Sequence, residues 1–138
     1  MSVVDGNSGR IALTDAFAVW PGMPRKKLAA GLEELTGKPC AADDPQRASV
    51  LMSGLFPLDG VNVSCVCSFH LGRLHSLELY PAAGAAREQR ERLFSWIGAE
   101  DPCRETMRSV LSRFSFGTAW IGSDPLFGDA VLRITYDV

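Results

Sequence analysis

Val61-Asn62-Val63-Ser64-Cys65-Val66-Cys67-Ser68-Phe69-His70-Leu71-Gly72-Arg73-Leu74-His75-Ser76-Leu77-Glu78-Leu79-Tyr80 is the stretch on which the fold turns. Over 61–70 the odd positions are apolar and the even ones mainly polar, the period of a β-strand with one buried face. Leu71-Gly72 then supplies a tight connection, glycine being the residue that tolerates positive φ, and 73–80 resumes as a second strand. The pair reads as an antiparallel hairpin. Upstream, Pro57-Leu58-Asp59-Gly60 carries an Asp-Gly turn and 48–56 reads as a further strand, so a three-stranded meander runs to Tyr80.

The same period decides what the cysteines do. Cys65 and Cys67 fall on one face with Val61, Val63 and Phe69, whereas His70 falls on the other. Free cysteine packs as a small hydrophobe, and the paired CxxC spacing of zinc sites is missing, so the reading is core packing with no metal and no cofactor.

Working outward, 11–20 alternates as a first strand with Asp15 on its apolar side, and Pro21-Gly22-Met23-Pro24 makes a turn. Pro24 suits the first position of a helix, Leu28, Leu32 and Leu35 recur at i, i+4 and i+7, and Gly37 with Pro39 stops it. Arg25, Lys26, Lys27, Glu33 and Glu34 read as its solvated side, and 38–47 as a loop. Downstream of Pro81, 82–97 reads as a helix. Asp101-Pro102 then starts another, with Cys103, Met107, Val110, Leu111 and Phe114 forming its core stripe. Two strands, 118–121 and 130–136, close the chain as a hairpin, with Ala130, Leu132, Ile134 and Tyr136 on one face of the last and Arg133 on the other. The order β-α-β-β-β-α-α-β-β predicts the α+β class: an antiparallel sheet of about six strands with three helices, mostly on one face.

The chain has 138 residues, 46% of them hydrophobic and 22% charged, which predicts one domain over 1–138 with a flexible stretch at 1–9. Fourteen Lys and Arg against sixteen Asp and Glu give a net charge of -2, which argues against a nucleic-acid partner. The polar start lacks the pattern of a secretory signal and no apolar run is long enough to span a membrane, so the expected location is the cytoplasm, with free thiols at all four cysteines and no membrane partner.

None of the short catalytic or nucleotide-binding signatures occurs. His70 and His75 are the only histidines and are expected close together beside a solvent-facing turn. Asp43-Asp44 lies on the loop, and Glu78 is a charge inside an otherwise apolar or neutral strand. Trp96 lies between Phe94 and Ile97, and a narrow helical stripe does not bury all three. Asp43, Asp44, His75, Glu78 and Trp96 are therefore the candidate contacts to a protein partner, and mild acidity would steer the chain toward a basic one.

Phe116-Gly117 and Trp120, then Ser123-Asp124-Pro125-Leu126-Phe127-Gly128-Asp129-Ala130 and Ile134-Thr135-Tyr136, are similar to the ending of small bacterial proteins in which an aromatic-Gly strand, an (S)xDP turn and an I-x-Y strand close the sheet. The segment Gly72-Arg73-Leu74-His75-Ser76-Leu77-Glu78-Leu79 looks like their G-x-L-x-x-I-x-L element. Such proteins resemble the immunity proteins of secreted bacterial toxins, in which a small acidic α+β domain blocks a toxin without catalysis. The resemblance implies a protein partner and brings no catalytic residues. It leaves the N-terminal half, with Pro21-Gly22-Met23-Pro24, unassigned. Two alternatives stand beside it. The order α-β-β-β-α-β-β resembles that of secretion chaperones, which typically begin with the helix and dimerise, whereas this chain begins with a strand. A small hydrolase or ligand-binding domain would use the sheet face, with His75 and Glu78 or Asp15 as its polar groups.

Overall fold

The computed structural model describes residues 3–42, 49–82, 86–99, 109–123 and 130–137. In chain order the elements are β1 (Ile11–Ala12), β2 (Ala18–Val19), α1 (Arg25–Thr36), β3 (Ala41–Ala42), β4 (Val50–Met52), β5 (Phe56–Leu58), β6 (Val61–His70), β7 (Arg73–Pro81), α2 (Ala86–Trp96), β8 (Val110–Phe114), β9 (Gly117–Ser123) and β10 (Ala130–Tyr136). The class is α+β, with two helices among the described residues. Antiparallel neighbours build the main sheet in the order β3-β4-β6-β7-β10-β9-β8, with β5 also paired to β6; β1 and β2 form a separate small sheet. No described helix is long and apolar enough to cross a membrane.

Two tight turns fix the meander. Asp59 and Gly60 have φ of 51° and 78°, Leu71 and Gly72 have 52° and 77°, and each pair links adjacent strands in register. Two consecutive left-handed residues match the twist of the flanking strands, the geometry of a type I′ hairpin. Helix α1 ends as its sequence indicates, with Gly37 at φ 70° and its N–H bonded to the Glu33 carbonyl. Pro24 is the extended residue just before the helix rather than its first turn.

The inward rows of the sheet are continuous across its strands. Leu51, Cys67, Leu77, Ile134 and Ala119 stand side by side in one, and Cys65, Leu79, Leu132 and Ile121 in the next. Leu28 and Leu32 of α1 and Leu93, Phe94, Trp96 and Ile97 around α2 belong to the same buried cluster. Cys65 and Cys67 are thus fully buried free thiols, as the strand period implies, with sulfurs 3.8 Å apart. Their shared hydrogen bond, followed by burial, pushes the Cys67 thiol up.

Several expectations change. The stretch 11–20 is not one strand: Thr14 Oγ1 accepts from the Ala16 and Phe17 N–H groups and bends the chain, so β1 and β2 are two residues each and Asp15 lies exposed in the bend. Phe17 instead packs on α1 against Gly31, where any side chain would strike its ring. The stretch 48–56 becomes β4 and the start of β5. The third helix is replaced at its C-terminal end by β8, and its first part, including Cys103 and Met107, lies outside the described residues.

Residues 3–9, expected to be loose, are tied to the core. Val3 and Val4 are buried and both donate N–H bonds to the Trp96 carbonyl, and Val4 also bridges Ile11. Tyr136 Oη donates to the Gly9 carbonyl at 2.7 Å, inside a cluster in which Phe116 stacks on Phe114 and meets Tyr136 edge-on. Burial pushes the Tyr136 phenol up from its ordinary value of 10.0. The sign follows: a group with a raised folded-state pKa contributes its full stability below its unfolded value and loses it as pH climbs beyond. Unfolding free energy should therefore fall above about pH 10 in the native chain. Tyr136→Phe should flatten that fall while costing about 1 kcal/mol at neutral pH for the lost hydrogen bond. Denaturant titrations of both proteins across that range measure the difference.

Candidate protein-binding face

Strand side chains alternate between faces, so residues next to the inward rows form the opposite face of the sheet. Register assembles them into a row crossing the sheet: Met52 beside Val66, Val66 beside Glu78, Glu78 beside Arg133, Arg133 beside Trp120, and Trp120 beside Leu111. A second row is Val50, Ser68, Ser76, Thr135, Thr118 and Arg113. The positions in these two rows are half-buried or exposed, whereas Val131 on the same face is buried.

The centre of the first row is organised by its own contacts. Arg133 Nη2 lies 3.1 Å from Glu78 Oε2, and Tyr80 Oη donates to the same oxygen at 2.9 Å. The Arg133 guanidinium also sits 4.9 Å from the centroid of the Trp120 ring. That ring lies along its own strand over Gly122, where a side chain would collide with it. An ion pair this accessible adds only about 0–1 kcal/mol, and the cation–π contact adds about as much, so the arrangement fixes orientation more than it stabilises the fold. At the two ends of the row, Met52 and Leu111 are 53% and 66% exposed, and Leu55 near the β4 end is also exposed.

Of the residues anticipated as partner contacts, Glu78 belongs to this face. His75 is half-buried and is the extra residue of a bulge in β7: Ser68 pairs with Ser76 and Phe69 with Leu74, leaving His75 without an opposite residue. His70 stands exposed opposite Arg73. Asp43 and Asp44 lie outside the described residues. Trp96 is not a contact: it is fully buried, its indole N–H donating to Asp59 Oδ2 at 2.9 Å. Phe94, Trp96 and Ile97 are all buried because the N-terminal segment and the Asp59-Gly60 turn cover the end of α2 from sides that a helical stripe alone does not provide.

Trp120, Tyr80, Met52 and Leu111 are the face residues that reading the sequence missed. Arg133 was legible as outward from the alternation of β10. Leu111 was not, because in a helix it shares a stripe with Val110 and Phe114, whereas in β8 those two turn toward the core and Leu111 turns away.

Among the described residues there is no group of three or more His, Cys, Asp or Glu side chains placed to hold a metal ion. No protein-family model matches the chain, and comparison with curated proteins and with solved structures gave no match either.

Proposed function

We propose that the chain is a non-enzymatic protein-binding domain that seats its partner on the open face of the sheet, acting in the cytoplasm as an immunity-type inhibitor of a bacterial toxin. The observation that carries this reading is the centre of that face. Trp120, Arg133 and Tyr80 are the side-chain types that dominate protein interfaces, and here they are held in place before any partner arrives, which lowers the entropy lost on binding. Met52 and Leu111 extend apolar contact toward both edges. Glu78 is already engaged by Arg133 and Tyr80, so recognition rests on apolar burial and shape more than on acidity drawing in a basic partner. Co-expression of the chain with the products of the genes beside its own tests the inhibitor reading. One product is expected to arrest growth alone and to be tolerated with the chain present; failure to relieve any of them would overturn it.

A second reading, a secretion chaperone for an effector protein, is favoured by the element order. With β1 and β2 outside the main sheet, α1 precedes every main-sheet strand, so the helix comes first, while β3, β5 and β8 add strands to the α-β-β-β-α-β-β order. That reading requires a dimer. A monomer by light scattering removes it and leaves the inhibitor reading standing.

A further inference from the structure

Beyond the open face, one end of the molecule gathers features that neither the core nor that face uses. The turn between β6 and β7 is held against the start of α1: Pro24 bridges Arg73, the Arg25 N–H bonds to the Gly72 carbonyl, and Arg73 Nη1 donates to the Gly22 carbonyl. The segment 21–24, which the sequence reads as a turn, is therefore the clamp joining helix to hairpin tip. This clamp brings Arg25, Lys26 and Lys27 to the same end as Arg73 and the exposed His70. The positions three and four residues after these helical cations are Leu28, Ala29, Ala30 and Gly31, so α1 offers them no carboxylate partner. They also sit at the positive end of the helix macrodipole, where cations lower helix stability.

A solvated helix flank would account for the charges alone. It does not account for Leu71. This residue is 90% exposed, the most exposed of the large apolar side chains among the described residues, and it occupies the first left-handed position of the turn at φ 52°, a place where Gly, Asn or Asp is at ease and a bulky residue is strained. Trp20, just before the clamp, is 37% exposed with Lys27 Nζ 4.8 Å from its ring centroid. Backbone strain, an exposed leucine and cations that α1 leaves without a carboxylate partner thus coincide at one tip.

We infer that this tip is a docking surface for an acidic polypeptide segment, the cations meeting its carboxylates and an apolar side chain of the segment covering Leu71. Charge complementarity selects an anionic occupant. The single leucine and tryptophan favour a polypeptide over a lipid surface, where stable attachment takes more buried apolar area or a second anchor. The inference is independent of the open-face reading, since different side chains carry it.

The test is an amide-resolved NMR titration of the full chain with a peptide alternating Glu and Leu, a peptide alternating Glu and Ser, phosphatidylserine vesicles and a single-stranded oligonucleotide. The Glu-Leu peptide should shift the amides of 25–27 and 70–73 and bind about tenfold more weakly to the Lys26→Glu, Lys27→Glu double variant and to Leu71→Asn. Leu71→Asn should at the same time raise the unfolding midpoint by relieving the turn, which separates lost binding from lost folding. Equal binding of the two peptides, no shift with either, or preferential binding to vesicles or oligonucleotide would overturn the inference.

Discussion

Gly117→Ala destabilises the protein by about 3 kcal/mol or more, the sum of left-handed strain and overpacking against backbone. Gly117 has φ 149° at the first position of β9, where it pairs with both Phe114 and Tyr136. A Cβ there points into the Thr135 carbonyl and the Tyr136 Cα, which belong to the paired strand and have no rotamer in which to retreat. The neighbourhood is closed on its other sides too. Phe116 is buried against Phe114 and Tyr136, the Asp137 N–H bonds to the Phe116 carbonyl, and Ser115 Oγ donates to the Asn7 carbonyl. Gly37→Ala is the control: its φ is 70° but nothing lies within 4 Å of an added Cβ, so it should cost only about 1 kcal/mol. Urea midpoints give the comparison. Equal losses at the two glycines would show that β9 re-seats freely, against the account of a locked C-terminal hairpin.

The second large effect is at Trp96. Trp96→Ala should lose about 3–5 kcal/mol, and Trp96→Phe about 1–2 kcal/mol, because phenylalanine keeps most of the buried volume but drops the indole hydrogen bond. Trp96 connects three parts of the chain. Its ring fills the core, its N–H holds the Asp59 carboxylate, and its carbonyl accepts from Val3 and Val4. Arg92 reinforces the same junction, donating to the Asp59 carbonyl at 2.7 Å with its guanidinium 3.6 Å from the carboxylate. Set against a typical domain stability of about 5–15 kcal/mol, the alanine variant sits near the limit of folding, and the phenylalanine variant supplies the usable measurement. If Trp96→Phe matched the native chain, the indole contact to Asp59 would contribute nothing and the turn would be held by Arg92 and its own backbone.

These two sites show where sequence reading reached and where it stopped. The hairpin of β6 and β7, the Asp-Gly turn, the leucine stripe of α1 and the alternation of β10 are local signals, each set by residues within a few positions of one another, and each holds in the structure. The segment 110–114 failed because Val110, Leu111 and Phe114 fit both periods: spacing of one, three and four places them on one helical stripe, while in a strand Val110 and Phe114 face in and Leu111 faces out. Pairing with β9 decided between them, and pairing is not local. Val3 and Val4 were an apolar pair in a polar start, a signal too short to show that a helix end elsewhere needed covering. The open face was legible only in part. Glu78 stood out as a charge in a strand and Arg133 as an outward residue of the last one, but that they sit side by side, with Tyr80 and Trp120 against them, follows from β10 lying between β7 and β9, an order that no spacing in the chain encodes.

If a protein partner sits on that face, altering the face must weaken the complex. With a toxin that the native chain neutralises in hand, calorimetric titration should show Arg133→Glu and Trp120→Ala weakening the complex by at least about 2 kcal/mol each, with circular dichroism and unfolding midpoints close to native. Undiminished affinity in both variants, with the complex still formed, would put the partner elsewhere on the molecule and contradict the account.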